Sequence, residues 1–312
     1  TRGKPTLVRV LPFGLSQEEA LRLAAALERG SEHPLAKAVL EAAESLPQAQ
    51  AEEVRALPGE GVEGRVEGRR LHLGGPALME RLGVPLPEEA KALPEEGYTP
   101  LYLVEGTRLL AAFAVFDPPR PEAQEAVAAL KALGLKLVLL TGDHPAPARR
   151  VAEALGIPEV LAGVRPEGKV EAIRRLQAEG RKVVFVGDGI NDAAALAQAD
   201  VGLAMGSGTD IALEAGDVVL LTPDLRGVVN AVRLARRTLR TIYLNFFWAY
   251  AYNVVLIPVA AGALYPFTGL LLNPMLAAAA MSLSSLFVLT NSLRLRAFRP
   301  QALPSLNPAA SS

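Results

Sequence analysis

Hydrophobic and polar positions fall into three regimes along the chain. From residue 6 to about 111, short alternating pieces such as "GEGVEGRVEG", "RRLHLGG", "TPLYLVEG" and "RLLAAFAVF" follow two helical stretches. Ser16 with Glu19 forms a capping-box pattern at the start of the first helix, and Pro34 is well placed as the first residue of the second. The pattern predicts a small antiparallel sheet carrying two helices. From 112 to about 230 the regime changes. "LKLVLLTGD" and "RKVVFVGDG" are continuous apolar runs, and "PEAQEAVAALKALG", "HPAPARRVAEALG", "GKVEAIRRLQAEG" and "NDAAALAQA" read as helices around them, followed by short strands in "DVGLAMG" and "DVVLL". Apolar strands alternating with helices predict a parallel sheet covered on both faces, with its ligand site at the carboxyl ends of the strands.

The third regime is apolar throughout. Thr241 to Leu293, 53 residues, contains no Asp, Glu, Lys, Arg or His. At about 20 residues per span this predicts two membrane helices, roughly Ile242–Leu264 and Leu270–Leu293, with "YPFTG" as the turn. Arginines flank both outer ends: Arg233, Arg236, Arg237 and Arg240 before, Arg294, Arg296 and Arg299 after. Both ends should face the cytoplasm.

Charge adds little. Lys+Arg (32) nearly cancels Asp+Glu (33), so no nucleic-acid partner is implied. Cysteine is absent, which excludes disulfides and thiolate ligands within these residues.

The candidate chemistry lies at the ends of the apolar runs. Thr141-Gly142-Asp143 ends one, and Gly187-Asp188-Gly189-Ile190-Asn191-Asp192 ends another, with Lys169 near the start of a helix between them. Carboxylates at a strand end suit a hard cation such as Mg²⁺. A lysine and a threonine hydroxyl beside them suit a phosphoryl group, so the set points to phosphoryl transfer. Upstream, His33 precedes a helix-starting proline, where unsatisfied N–H groups attract phosphate and a ring can stack on a purine. Gly59, Gly61 and Gly64 would let backbone approach a flat ligand.

In this order the motifs resemble the phosphorylation domain of P-type ATPases, within the haloacid-dehalogenase-like superfamily. The resemblance implies Mg²⁺ on Asp188 and Asp192, orientation by Asn191, phosphoryl stabilisation by Thr141 and Lys169, and a nucleotide or phosphate role for Asp143. "DPPR" (117–120) matches the segment where the chain returns from the nucleotide domain. Two departures are His144, where the family has Asn, and Ala194, where it has Pro. Ser-Glu-His-Pro upstream of Gly-x-Gly-x-x-Gly resembles the nucleotide-binding domain of the heavy-metal branch. It implies ATP contacts from His33, Gly59 and Gly61, with Glu28 as adenine partner. Gly75 stands where that branch often has Asn.

The membrane segment carries Asn245, Tyr252, Asn253 and Pro258 in one span and Met281, Ser284, Ser285, Asn291 and Ser292 in the next. Met281 and Ser285 share a helix face. A thioether beside hydroxyls and amides, with no carboxylate, suits a soft monovalent ion; helix–helix hydrogen bonding is the alternative use of the Ser and Asn residues. The pattern is similar to the last two spans of Cu(I)-exporting ATPases. By that resemblance Tyr252, Asn253, Met281 and Ser285 would contact Cu⁺, delivered by a copper chaperone. Zinc exporters carry charged residues in these spans.

The resemblance therefore predicts an α/β, haloacid-dehalogenase-like parallel-sheet domain (1–5 and 112–235) with an inserted α+β nucleotide-binding domain (6–111). A transmembrane helical hairpin (241–293) and a cytoplasmic tail (294–312) would follow. The protein would sit in the cell membrane as a multi-pass pump using ATP, its soluble domains cytoplasmic and its spans in lipid. The family's phosphorylated aspartate lies in Asp-Lys-Thr-Gly-Thr-Leu-Thr, and no Asp-Lys-Thr-Gly occurs in these 312 residues. "TRGKPT" resembles the residues just after that motif, so this chain alone is expected to bind nucleotide without forming an aspartyl-phosphate. Its phosphorylation domain, lacking a central strand, is expected to be unstable. Two other readings compete: a membrane-tethered haloacid-dehalogenase-like phosphatase, and a non-catalytic nucleotide-binding fragment.

Overall fold

A computed structural model of the chain describes residues 1–187, 192–206 and 215–300. The chain divides into two compact units, Thr1–Pro223 and Asp224–Ser312.

The first unit opens with β1 (Thr6–Pro12), α1 (Gln17–Glu28), α2 (Pro34–Ala42), β2 (Ala51–Leu57), β3 (Gly61–Val66), β4 (Arg69–Gly74), α3 (Pro76–Leu82), α4 (Glu88–Lys91), β5 (Thr99–Glu105) and β6 (Arg108–Phe116). The six strands form one antiparallel sheet in the order β1-β6-β5-β4-β3-β2. Ser16 caps α1 by accepting from the Glu19 amide (3.2 Å). The sheet is covered on both faces. Leu23, Leu27 and Val39 pack with Ala111, Phe113 and Val115 on one side, while Leu78, Met79 and Leu93 pack with Ala112 and Ala114 on the other. That is why β6 reads as an unbroken apolar run instead of an alternating one. It pairs with β1 as far as Thr6↔Phe116. The expected boundary at 112 therefore falls inside a strand, and Asp117-Pro118-Pro119 is what ends it.

Two passages of chain leave this sheet side by side. The Asp117 carboxylate accepts from the Gly3 (3.0 Å) and Lys4 (3.2 Å) amides, and Arg120 Nε donates to the Thr1 carbonyl (2.9 Å). Beyond them come α5 (Pro121–Ala132), β7 (Val138–Leu140), α6 (Pro145–Leu155), β8 (Glu159–Leu161), α7 (Pro166–Ala178), β9 (Val184–Gly187), α8 (Ala193–Gln198), β10 (Val201–Met205) and β11 (Val218–Leu220). All strand pairs here are parallel. Among the described residues they form two sheets, not one: β7-β8, and β9-β10-β11 with β10 in the middle. The strands carrying the two acidic motifs, β7 and β9, are each an edge.

In the second unit, α9 (Arg226–Ala260) runs for 35 residues, α10 (Tyr265–Thr268) is one turn, and α11 (Pro274–Leu293) follows. Among the described residues, two helices are long and apolar enough to cross a membrane. The expected limit at 235 lies within α9, because no helix breaker separates the arginine-rich stretch from the apolar one. The second helix starts at Pro274 instead of Leu270. Asn273 caps it by accepting from the Met275 amide (2.9 Å), and Pro274 takes the first helical position.

Candidate functional site

Three groups of residues carry chemistry. The first is at the carboxyl ends of the parallel strands. Beyond β7, the Thr141 amide donates to the Leu161 carbonyl (3.0 Å) and the Val164 amide to the Thr141 carbonyl (3.0 Å). The Gly163 amide donates to the Asp143 carbonyl (2.7 Å). The Thr-Gly-Asp loop is thus zipped to the loop that opens α7. Thr141 Oγ1 accepts from the Asp143 amide (3.1 Å), which leaves the hydroxyl proton free to donate.

Lys169 stands in the first turns of α7, which begins at Pro166. Its Nζ meets Asp192 Oδ1 at 2.8 Å, with only 17% and 11% of the two side chains exposed. Asp192 opens α8, and its carboxylate lies so close to Gly187 that a Cβ there would come within 2.8 Å of Oδ2. Glycine at the last position of β9 is therefore a requirement of space. Asp188 and Asn191 lie outside the described residues. The chemistry of Asp192, oxygen with no soft donor nearby, fits a hard cation. Among the described residues no group of three or more His, Cys, Asp or Glu could hold a metal.

The second group surrounds the α1–α2 turn. Glu28 is buried, 8% exposed, at the C-terminal end of α1. Burial alone raises its carboxyl pKa above the ordinary glutamate value, and no charge or hydrogen bond offsets that. His33 caps α2: its Nδ1 accepts from the Leu35 amide (3.2 Å). In the neutral ring that acceptor role places the proton on Nε2. Gly59 and Gly61 flank Glu60 at the β2–β3 turn, both with positive φ (75° and 153°). Gly61 pairs with Gly74, and a Cβ on either would collide with backbone. Glu60 fixes the turn twice, accepting from the Gly75 amide (3.2 Å) and from Arg81 Nε (2.7 Å). The ion pair with Arg81 is a tertiary contact across 21 residues, which sequence spacing does not announce.

The third group is in the helical hairpin. Asn245 Nδ2 donates to Ser292 Oγ (3.0 Å), and Asn291 Nδ2 donates to Asn245 Oδ1 (2.8 Å) and the Thr241 carbonyl (3.4 Å). Trp248 stacks on Phe287 (5.7 Å between centroids), and Tyr252 tilts against the same ring (6.4 Å). Asn253 donates to the Ala249 carbonyl (2.9 Å) and Ser285 to the Met281 carbonyl (3.2 Å), each within its own helix. Met281 is 54% exposed. Among the described residues, no hydrogen bond joins Tyr252, Asn253, Met281 and Ser285 across the helices. Among the described residues the polar side chains thus separate into an interhelically hydrogen-bonded set and a set with no hydrogen bond across the hairpin.

The chain belongs to the haloacid dehalogenase-like hydrolases, whose family model matches residues 1–200. Within that family its likeness is to metal-transporting P-type ATPases. It is 49% identical over 306 residues to Copper-transporting ATPase 1 of Rhizobium meliloti (strain 1021), covering 96% of this chain and 37% of that protein. It is 42% identical over 307 residues to a silver exporting P-type ATPase of Salmonella typhimurium, covering 96% of this chain and again 37% of the relative. The chain therefore spans well under half the length of these relatives. A zinc-transporting PIB-type ATPase in the E2.Pi state matches its fold with a TM-score of 0.76 and 37% identity, over 94% of this chain and 47% of the other.

Proposed function

We propose that these residues form the catalytic and membrane-terminal part of an ATP-driven Cu⁺-exporting P-type ATPase. The observation that carries this is the Lys169–Asp192 pair, drawn together from two helices at the carboxyl end of β9. A structural ion pair needs neither that position nor a glycine cleared for its carboxylate. In this reading Asp188 and Asp192 hold Mg²⁺, which neutralises phosphoryl oxygens when bound. Asn191 orients the site. Lys169 and the Thr141 hydroxyl stabilise the phosphoryl group, and Asp143 borders it. Glu28 meets the adenine edge, while His33 stacks on the base. The Gly59–Gly61 turn lets the nucleotide lie against backbone.

The phosphoryl acceptor is an aspartate on a strand that pairs with both β7 and β9. That β7 and β9 are each the edge of a sheet among the described residues supports this. No segment of the 312 residues carries the Asp-Lys-Thr-Gly sequence, so on this reading the chain alone binds ATP without becoming phosphorylated. Copper is favoured over zinc by the uncharged spans, and by the likeness to a copper-transporting and a silver exporting ATPase. Tyr252, Asn253, Met281 and Ser285 offer the ion a thioether, hydroxyls and an amide, and a copper chaperone would deliver it. The arginine-flanked ends, and with them the soluble domains, face the cytoplasm.

A membrane-tethered phosphatase of the same family would share the Lys169–Asp192 site but has no use for the thioether and amides in the spans. The test is metal-stimulated ATP hydrolysis by the full-length protein in proteoliposomes. Stimulation by Cu⁺ or Ag⁺ and not by Zn²⁺ is expected. Hydrolysis indifferent to all three would overturn the pump reading.

A further inference from the structure

The hairpin's polar side chains divide by position. At the arginine-flanked end, Thr241, Asn245, Asn291 and Ser292 satisfy one another across the helices. Deeper in, the Asn253 amide and Ser285 hydroxyl turn back onto their own helices. The cross-helix contacts run antiparallel: Arg237 donates to the Arg294 carbonyl, Asn245 to Ser292, and Trp248 stacks on Phe287.

Sliding α11 by one residue would shift Asn291 by about 1.5 Å and turn it by about 100°. Its amide would then leave both acceptors, and in hydrocarbon no water replaces them. The register can therefore change only in steps that break the set. We propose that Asn245 and Asn291 are positioning residues that lock the register of the two spans and so bring the candidate metal contacts to one level. This rests on the metal-site reading above.

The level follows from counting. Tyr252 lies seven residues from Asn245, Ser284 seven from Asn291, and Ser285 seven from Ser292. Seven residues are two helical turns, about 10.5 Å. Tyr252 therefore stands opposite Ser284 and Ser285, and its contact with Phe287 agrees. Met281 is one turn deeper than Ser285. The half-buried positions continue the same pairing: Leu256 and Ala280 are each eleven residues from Asn245 and Asn291. None of the four clasp residues needs to touch the ion to decide which side chains meet it.

The absence of cysteine from the chain makes the register directly measurable. Leu256→Cys is combined with Ala280→Cys, or with Ala277→Cys or Ser284→Cys about one turn to either side, in the 312-residue chain in lipid nanodiscs. Disulfide formation with iodine is then timed. The 256–280 pair should form fastest. Interhelical hydrogen bonds in membranes contribute about 0.6 kcal/mol each on average, so losing all three through Asn245→Leu with Asn291→Leu should erode that preference by on the order of twenty-fold. Exchanging the partners, Asn245→Ser with Ser292→Asn, should retain it. Should the double leucine variant fail to insert, Asn291→Leu alone removes two of the three bonds and is read in the same way. A preference unchanged by the leucines overturns the lock. In the full-length protein the leucine pair should also weaken Cu⁺ binding while leaving ATP affinity unchanged; unaltered Cu⁺ affinity overturns the positioning role. Met281→Ala, measured alongside, separates the two failures: if it too leaves Cu⁺ affinity unchanged, the metal-site reading has failed, whatever the cross-links show.

Discussion

Lys169 Nζ and Asp192 Oδ1 are 2.8 Å apart although 23 residues separate them. The contact joins the start of α7 to the start of α8, so each helix presents its first turn to the same small volume. Helix N-termini carry partial positive charge, and a lysine there adds a full one. On the proposed reading, a phosphoryl group occupies this volume and Lys169 is one of its contacts.

Replacing Lys169 by Met in the full-length protein should lower the phosphorylation rate on the order of 10²–10³-fold, the usual effect of losing one preorganised charge at a reacting centre. Arginine should restore little, because its planar fork cannot replace a point charge in this geometry. Rapid-quench phosphorylation from ATP checks both. A rate within twofold of the parent would make the pair structural.

Glu28 predicts a pH dependence. Its folded pKa is raised by burial, so the folded state holds a proton that the unfolded state releases. Stability from this group is full below the ordinary glutamate pKa. It declines as pH rises through the raised value and stays lower above it. Glu28→Gln removes that slope, and thermal melts at pH 5 and pH 8 should lie closer together in the variant than in the parent. Equal spacing in both would show that the carboxyl is not desolvated.

His33 has two separable roles. His33→Ala removes both the cap of α2 and the ring, whereas His33→Ser keeps an acceptor for the Leu35 amide. Loss of a cap costs about 1 kcal/mol. Stability should therefore fall in the alanine variant alone, while nucleotide affinity falls in both. Titration with a fluorescent ATP analogue, alongside denaturant melts, distinguishes the two. Full affinity in the serine variant would return His33 to a purely structural role.

The soluble unit should be unevenly stable. Leu103, Leu110, Phe113 and Ala114 are fully buried within a six-stranded sheet, whereas β7 and β9 are short edge strands and Val184 is 46% exposed. Amide hydrogen exchange should be slow in β5 and β6 and faster by orders of magnitude in β7 and β9. Uniform protection across both regions would contradict this contrast between the two sheets.

Much of this was legible in the residues, for reasons that can be named. Ser16 and Pro34 mark helix starts by local rules of capping and φ, so those elements fell where expected. The two apolar runs before Asp143 and Asp188 read as parallel strands because burial on both faces removes alternation. What stayed hidden depends on contacts remote in sequence. The extension of β6 to Phe116 is set by its pairing with β1. The Glu60–Arg81 clamp and the Asn245–Asn291 bond join residues 21 and 46 apart. Periodicity identified Asn245 and Asn291 as polar residues in a span, yet could not say whether they faced an ion or each other. The parallel strands read as one sheet, whereas among the described residues they form two, because strand partners are not named by periodicity.

The most direct test locates the phosphate itself. The full-length protein is labelled from radioactive ATP, and the acid-stable, hydroxylamine-labile site is mapped by mass spectrometry, with Asp192→Asn as control. The account predicts one labelled aspartate, none of those within this 312-residue sequence, with labelling strongly reduced in the control. A label on Asp117, Asp143 or Asp188, or on the 312-residue chain alone, would contradict it.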